Sequence, residues 1–442
     1  AFELMCRGAD SPERRAALSY FSDLPEAERL RRLAGYSSAG RGPVASLENI
    51  KRLYGRSVYM SATRAEKISS CRFAFFMEYG LKAKERRMAE FRATNVGTLV
   101  HYVVENAVKD PCGGREGDAK AVVQHYVDRF LKERLGGAEG KTARFMSNYH
   151  MLEENILDIV RDIMEEIDSS DFKPIAFEMG FGRDGDFPAY KIKPSGTSGC
   201  SVDLHGQIDR VDGYVSGDDL YIRVSDYKTG SKEFSLSDIL DGINMQMFIY
   251  LMMINDAPGS EITELAWRAL GKKASKVTPC AALYIPVKST YVSALPSDSG
   301  DKIKKELRKT VERKGVLTDD RQLIDALEHP IDGEYRFLPV SYTKKGTFTA
   351  ASKVVSQPDI DRLIHRTEEN LRRIAEIISK GEIEADPYAG GGGRTYCDWC
   401  PYRQACQFDV DTKKDKYRYL KKLKRNEVLE LLAKEEGEKN GR

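Results

Sequence analysis

Hydrophobic and polar residues alternate along two neighbouring stretches near the middle of the chain, residues 206–215 and 220–228. Alternation with a period of two is typical of β-strands, whose successive side chains point to opposite faces of a sheet. The residues between them, 216–219, read Ser-Gly-Asp-Asp and have the composition of a turn. The pattern therefore predicts a β-hairpin around which the rest of the chain is organised.

Charged residues lie on this hairpin where an interior face is expected. Asp209 lies among apolar neighbours, and Asp226 and Lys228 end the second strand. Because Asp226 and Lys228 are two residues apart, their side chains point the same way, about 7 Å apart along the strand. Burying such charges without partners is costly, and a divalent ion such as Mg²⁺, which binds carboxylate oxygens, would remove that cost. Taken alone, the Asp–Lys pair also fits a solvated pair on an edge strand.

Apolar residues that recur every three or four positions mark helices in most of the remaining chain. We predict helices at residues 64–79, 97–107, 119–135, 145–167, 235–254, 300–330 and 358–380, and a basic helical tail. Strand-like patterns precede and follow the hairpin at residues 173–181 and 277–287. Residues 1–56 have the pattern of polar helices and carry no residues with evident chemistry.

A glycine-rich stretch at residues 136–142, GGAEGKT, nearly matches the phosphate-binding P-loop. The P-loop needs a glycine five residues before Gly140, where this chain has Leu135. It also needs a preceding strand, where the pattern here predicts a helix. We therefore predict no ATPase motif in this chain.

Composition narrows the class of protein. The chain has 442 residues, enough for two or three domains, and its 41% hydrophobic and 31% charged residues are typical of soluble proteins. The net charge of +2 gives no overall nucleic-acid signature, so any basic surface is local. Neither a membrane span nor a secretory leader is predicted. Eight irregularly spaced cysteines favour a reducing cytoplasm over a disulfide framework. Because the chain begins with Ala1, we expect a piece of a longer protein whose missing part lies upstream.

Four segments, in chain order, resemble the motifs of the PD-(D/E)XK nucleases of the RecB type. They are GTLVH at residues 97–101, GQIDRVD at 206–212, DYKTG at 226–230 and QMFIY at 246–250. The resemblance implies an α/β fold with a restriction-endonuclease-like core, in which helices flank a mixed central sheet. A large helical insert at about residues 109–170 would be added to this core, and the activity would be metal-dependent hydrolysis of DNA.

The resemblance implies roles for individual residues. The divalent metal, Mg²⁺ or Mn²⁺, would be held by His101, Asp209, Asp226 and the main-chain carbonyl of Tyr227. The catalytic set would comprise Asp209, Asp226, Lys228, Gln246 and Tyr250. Lys228 would stabilise charge on the phosphate or orient the attacking water, and Gln246 and Tyr250 would position the strand or support Lys228. Glu178, in the preceding strand, would be either a supporting residue or an ordinary strand-edge carboxylate.

Three cysteines near the end of the chain, Cys397, Cys400 and Cys406, are close enough in sequence to predict a metal or metal-cluster site. Zinc usually needs a fourth Cys or His nearby, and no histidine follows His365. Cys71, far upstream, can supply the fourth thiolate.

The context of Cys71, SCRFAFF at residues 70–76, resembles the iron–sulfur variant of these nucleases, in which one cysteine precedes the nuclease core and three follow it. The family usually has proline where this chain has Arg72. Four thiolates fit a 4Fe–4S cluster, which would staple the C-terminal segment to the helix that contains Cys71. The cluster would be held by Cys71, Cys397, Cys400 and Cys406, and the unligated cysteines would be Cys6, Cys112, Cys200 and Cys280.

Residues 412–425 form a basic tail with eight Lys or Arg, one Asp and two tyrosines. Two interpretations fit this composition. The tail is either a solvated helical face or a strip that contacts the phosphates of a nucleic acid.

The cysteine pattern is similar to that of the AddB family, the iron–sulfur nuclease subunits of bacterial AddAB helicase–nucleases. That resemblance implies an AddA-like helicase–nuclease partner and exonuclease action on single-stranded DNA from a duplex end, during double-strand-break processing for recombinational repair. Residues 1–57 would be a helical remnant of a helicase-like region, 58–390 the nuclease domain, and 391–442 the cysteine segment and tail. Two alternatives are a stand-alone nuclease of the CRISPR-adaptation type and an inert scaffold that binds DNA ends.

Overall fold

The computed structural model of the chain describes residues 11–20, 42–84, 93–110, 119–137, 139–194, 199–230, 234–287, 299–390, 393–411 and 415–440. Its helices are α1 (Pro12–Tyr20), α2 (Leu47–Tyr54), α3 (Ala62–Ser70), α4 (Arg72–Phe75), α5 (Ala93–Lys109), α6 (Ala119–Leu135), α7 (Ala143–Asp168), α8 (Leu236–Leu240), α9 (Gln246–Asp256), α10 (Gly259–Leu270), α11 (Gly300–Val311), α12 (Arg321–Leu327), α13 (Gln357–Ser379), α14 (Arg403–Cys406) and α15 (Arg425–Asn440). Its strands are β1 (Ser57–Met60), β2 (Lys173–Phe181), β3 (Tyr190–Ile192), β4 (Ser201–Leu204), β5 (Gly206–Ser216), β6 (Asp219–Lys228), β7 (Lys276–Pro286), β8 (Lys314–Thr318), β9 (Val354–Val355), β10 (Tyr388–Ala389) and β11 (Arg418–Tyr419).

A mixed sheet with the strand order β2-β5-β6-β7-β8-β9 forms the centre of the fold. β2, β5 and β6 are antiparallel, β6 and β7 are parallel, β7 and β8 are antiparallel, and β8 and β9 are parallel. This arrangement confirms the predicted α/β fold with a mixed central sheet. Two smaller sheets accompany it, with the orders β1-β4-β3 and β10-β11.

The predicted hairpin is confirmed as β5 and β6. In its register, Val211 faces Val224 and Arg210 faces Ser225. Side chains alternate along each strand, so the valines lie on one face of the sheet and Arg210 lies on the other. Continuing the register by one pair sets Asp209 opposite Asp226, on the same face as the valines.

Helices cover both faces of the sheet. On the valine face, α9, α10 and α13 contribute to the largest core, in which residues 247–254 of α9 are all buried. On the opposite face, α5, α6 and α7 pack together against Tyr227, Ile285 and Val287. Burying each large apolar side chain contributes about 1.5–3 kcal/mol. These cores hold the ends of β5 and β6 between two helical layers.

The predicted helix at residues 64–79 is wrong at Cys71. That residue is extended, with φ of −167°, and it separates α3 from α4. The main-chain N–H of Arg72 donates to Asp386 instead of joining the helix of the preceding residues. After α4, residues Phe76–Gly80 form a π-helical turn, a feature that is frequent at functional sites.

The predicted helix at residues 235–254 is also wrong at its centre, where it divides into α8 and α9. Gly242 and Asn244 lie between them with φ of 77° and 58°, in the left-handed region that a right-handed helix excludes. Asn244 is held there because its side-chain amide donates to Asp238 at 2.7 Å.

Two further predictions differ from the structure. Residues 300–330 are not wholly helical, because β8 separates α11 from α12. The tail is extended over residues 415–424, where β11 pairs with β10, and it becomes helical only at Arg425. The rest of the predicted tail, residues 412–414, lies outside the described residues. Neither β8 nor β11 is longer than five residues, too short for a clear periodic signal.

None of the helices in the described part of the chain is long and apolar enough to cross a membrane. The predicted domain boundaries at residues 57 and 390 stay a prediction.

Candidate active site

Asp209 and Asp226 lie where β5 and β6 approach each other beneath α5. Both side chains are buried. Asp209 is held by its own hairpin, because the main-chain N–H of Tyr227 donates to Asp209 Oδ2 at 2.7 Å. The other oxygen of Asp209 therefore faces the space between the hairpin and α5.

His101 enters this space from α5. Its Nδ1 lies 3.4 Å from Asp209 Oδ1, and its Nε2 lies 3.1 Å from the main-chain carbonyl oxygen of Tyr227. Two ligands at right angles on an ion with bonds of 2.0–2.1 Å would be about 3 Å apart, which matches the separation between His101 Nε2 and the carbonyl. The structure thus brings together three of the four groups predicted to hold the metal.

Glu178 on β2 joins the same group. Its carboxylate, the His101 ring nitrogen and the Asp209 carboxylate offer ligand atoms that all lie within 4.8 Å of one another. Glu178 has a φ of +50°, which is uncommon for a residue other than glycine inside a strand and marks a local distortion. Sequence reasoning assigned Glu178 at most a supporting role, although a lone Glu among the apolar residues of a strand was a usable signal.

Asp226 is turned toward the second group of predicted residues. Gln246, at the start of α9, donates from its amide to Asp226 Oδ1 at 2.8 Å, and the same amide lies 2.8 Å from the hydroxyl of Tyr250. Lys228 lies within 2.5 Å of Asp226 Oδ2 and keeps about a quarter of its side chain exposed. Lys228 therefore links the buried carboxylate to solvent, where a substrate phosphate would approach.

The clustered carboxylates alter one another's acidity. Burial, and then the charge of Asp209, raise the pKa of Asp226 to about 6. Burial, and then the charges of Asp209 and Glu105, raise the pKa of Glu178 to about 7. Burial disfavours the charged form of His101, but its hydrogen bond to Asp209 outweighs that effect and raises the pKa of its ring. The site carries more negative charge than its own cations balance, and a divalent cation would relieve that excess.

The donor set fits Mg²⁺ or Mn²⁺. Carboxylate and carbonyl oxygens are the ligands that these hard cations prefer, and one imidazole is compatible with Mn²⁺. Asp209, Glu178, His101 and the Tyr227 carbonyl provide that set, and Asp226 lies beside it.

The four cysteines of the predicted cluster come from distant parts of the chain to one place. Cys71 shares a buried cluster with Tyr396 and Tyr402, against which Cys400 packs. Burial raises the pKa of Cys71 to about 12, and the charge of Cys406 contributes to the shift, so these two thiols are near each other. Binding of a metal would release the protons that burial favours on such thiols.

Arg72, which departs from the usual proline, ties this region together. Its main-chain N–H donates to Asp386 Oδ1 at 2.8 Å, a bond that proline could not make because it has no N–H. Its guanidinium also lies 3.1 Å from Asp386 Oδ2 and 2.6 Å from Glu382. Arg418 reaches the same acid at 3.3 Å. This ion-pair network joins the Cys71 turn to the C-terminal segment.

The remaining cysteines lie elsewhere. Cys200 and Cys280 are buried in other parts of the core, where their thiols contact the main-chain carbonyls of Gly55 and Ile222. Cys6 and Cys112 lie outside the described residues.

Comparison with known proteins identifies the family. Residues 59–407 match the PD-(D/E)XK nuclease superfamily. The chain belongs to this superfamily. Because the match covers most of the chain, it includes His101, the hairpin with Asp209 and Asp226, and all four clustered cysteines.

Several similar proteins are named as the second of the subunits that form an ATP-dependent helicase/deoxyribonuclease. The one from Clostridium tetani is 32% identical over 91% of this chain and 34% of its own length. Those from Thermoanaerobacter sp. and Acetivibrio thermocellus are 29% and 30% identical over 91% and 89% of this chain, and 34% of their own lengths. The chain thus spans about a third of the length of these relatives.

Proposed function

We propose that this chain is a divalent-metal-dependent deoxyribonuclease that hydrolyses phosphodiester bonds. The observation that carries the proposal is the convergence of His101, Glu178 and Asp209 within 4.8 Å, beside the Asp226–Lys228 pair. Carboxylates, an imidazole and a lysine on a nuclease fold are the groups that phosphodiester hydrolysis requires. Membership of the superfamily supports the same reaction.

In this proposal His101, Asp209, Asp226 and the Tyr227 carbonyl hold Mg²⁺ or Mn²⁺, and we add Glu178 to them on the geometry. The bound ion would neutralise charge on the phosphate and lower the pKa of a water nucleophile. Asp226 reaches the ion after a small rotation away from Lys228, which it contacts at 2.5 Å.

The remaining residues act around the phosphate. Lys228, half-buried and anchored to Asp226, donates hydrogen bonds to a phosphate oxygen or orients the attacking water. Gln246 holds the Asp226 carboxylate in place, and Tyr250 in turn holds Gln246. Gln246 and Tyr250 are therefore positioning residues.

The substrate and partner follow from the relatives. Their name includes both a helicase and a deoxyribonuclease, and the chain corresponds to a third of their length. We propose that the chain is the nuclease part of an AddB-type protein in the cytoplasm, with an AddA-like partner. It would degrade single-stranded DNA from a duplex end as an exonuclease during double-strand-break repair.

The four cysteines would hold a 4Fe–4S cluster with a structural role. Cys71, Cys397, Cys400 and Cys406 lie in one buried locality, and four thiolates are the usual ligands of such a cluster. The cluster would staple the C-terminal segment to the junction of α3 and α4, in parallel with the Arg72–Asp386 ion pair.

The nuclease proposal is tested by incubating the chain with labelled single-stranded DNA in Mg²⁺ and in EDTA. We expect degradation only with Mg²⁺, and a loss of more than about a hundredfold in Asp226→Ala. The matched control is Asp184→Ala, an exposed acid in the loop after β2, which should cleave like the wild type. Equal rates for Asp226→Ala and the wild type would overturn the proposal and favour an inert scaffold.

The cluster is tested on protein purified without oxygen. We expect visible absorbance of an iron–sulfur centre, with about four iron atoms per chain. Cys406→Ser should lose it, whereas Cys280→Ser should keep it. Stoichiometric zinc without iron in the anaerobic protein would contradict the 4Fe–4S assignment.

A further inference from the structure

A row of aromatic rings lies along the C-terminal segment next to β11. The Tyr417 ring lies 4.8 Å from that of Phe408 and 6.4 Å from that of Tyr419. The Tyr419 side chain is 81% exposed although it lies on a strand that pairs with β10. A ring displayed in this way adds little to the core and is available to an external partner.

Exposed lysines surround the row. They are Lys416, Lys421, Lys422 and Lys424. The ion pairs of the described residues include none of these four ammonium groups, whereas the neighbouring Arg418 is paired with Asp386. The strip formed by Phe408, Tyr417, Tyr419 and the four lysines therefore carries uncompensated positive charge around exposed rings.

The strip is firmly attached to the nuclease body. Ser237, at the start of α8, accepts from the N–H of Leu423 at 3.0 Å and donates to the carbonyl of Lys421 at 2.8 Å. Tyr417 forms a hydrogen bond with the thiol of Cys397. These bonds fix the aromatic side chains in place, so that little further ordering is needed when a ligand binds.

The strip also adjoins the candidate active site. Phe234, just before α8, lies 6.1 Å from the ring of Tyr284, and Lys228 lies 5.4 Å above the same ring. A flexible strand bound along the lysines could therefore continue past Ser237 toward Lys228. A path of this kind suits a linear polyanion better than a compact ligand.

We propose that this strip binds single-stranded DNA, with a base stacked on Tyr419 and phosphates contacted by the lysines. Charge complementarity selects a polyanion, and the exposed ring selects one whose bases are unpaired, because a stacked duplex hides the faces of its bases. The inference rests on the proposed function for the choice of DNA, and it adds a binding surface outside the metal site.

The test measures the binding of a fluorescent oligothymidylate of about twenty nucleotides by anisotropy, in EDTA so that no cleavage occurs. Tyr419→Ala should weaken binding at least about fivefold, and Tyr419→Trp should restore it. Tyr20→Ala is the control, since Tyr20 is 82% exposed on α1. It should bind like the wild type.

The lysines are tested by the salt dependence of binding. Lys421→Gln with Lys422→Gln should reduce the slope of log affinity against log salt by about 1.4, the value for two phosphate contacts on a single strand. Lys272→Gln with Lys273→Gln, another exposed pair, should leave the slope unchanged.

The outcomes separate this inference from the nuclease proposal. Asp226→Ala should bind the oligonucleotide like the wild type even though it does not cleave. Wild-type affinity and slope in the Tyr419 and lysine variants would overturn the strip while leaving the nuclease intact. Absence of binding by the wild type would also overturn the strip. Normal binding without any Mg²⁺-dependent cleavage would support the strip and overturn only the nuclease.

Discussion

On the hairpin of β5 and β6, one face carries Asp209 and Asp226, whereas the other carries Arg210, Asp212 and Arg223. The second face is closed by Glu166 of α7 and by Arg313, and all five of its charged residues are at most 1% exposed. Arg223 lies 2.8 Å from Asp212, and Arg210 lies 3.1 Å from Glu166. Burial alone would raise the pKa of Glu166, but its three arginines hold it well below the usual range.

The two faces differ in their charge balance. In the arginine network each charge has an opposite charge within 3.5 Å, so the network needs no ligand. On the other face, Asp209, Asp226 and Glu178 are balanced only by Lys228 and the shared proton of His101. Buried charge alone therefore does not mark a functional site. An uncompensated excess of one sign, open to solvent, is the informative signal.

The arginine face should respond most strongly to mutation. Glu166→Ala leaves three buried arginines with Asp212 as their only acid, so it should lower the free energy of unfolding by about 3–5 kcal/mol. Urea denaturation measures this change. The control is Glu165→Ala on the same helix, whose half-exposed carboxylate pairs with Arg336 and should contribute at most about 1 kcal/mol. Similar losses in the two variants would show that the network is not needed for stability.

On the acidic face, pH should have a smaller influence on stability. The raised pKa of Asp226, about 6 against an ordinary 3.8, means that the folded state holds a proton that the unfolded state has lost. Stability of the metal-free protein should therefore fall as pH rises through the window from about 4 to about 7. Asp226→Asn removes this group, so its loss of stability between about pH 5 and about pH 8 should be smaller by roughly 1–2 kcal/mol.

This prediction is checked by urea denaturation in EDTA at both pH values. Asp184→Asn, an exposed acid, is the control and should follow the wild type. If Asp226→Asn shows the full wild-type dependence on pH, Asp226 is not part of an excess of negative charge.

Positioning on the acidic face should have the weakest effect of the three. Gln246→Ala removes the amide that donates to Asp226 Oδ1, and should lower the rate of Mg²⁺-dependent cleavage about tenfold, equivalent to about 1.4 kcal/mol. Stability should change little, because Asp226 keeps Lys228. Gln124→Ala on the exposed side of α6 is the matched control. A rate unchanged in Gln246→Ala would remove Gln246 from the catalytic machinery.

The hairpin, β2, β7 and most of the long helices were predictable from the sequence because each has a strong period and recognisable ends. His101, Asp209 and Asp226 could be assigned to one site only through the resemblance, since nothing local connects residues more than a hundred positions apart. The arginine network was not predicted. Glu166 and Arg313 come from distant elements, and their burial depends on how α7 packs against the sheet. Glu178 was underrated for the same reason, because its strand distortion follows from tertiary packing.

Binding of a divalent cation to the acidic face underlies the whole proposed mechanism, and calorimetric titration of Mn²⁺ into the metal-free protein at about pH 8 is its sharpest test. The wild type and Asp184→Asn should show saturable binding, and Asp209→Asn should lose it, because Asp209 contributes to the group of ligands within 4.8 Å. Glu165→Ala, near the arginine face, should bind like the wild type. No binding heat in the wild type, or unchanged affinity in Asp209→Asn, would contradict the mechanism.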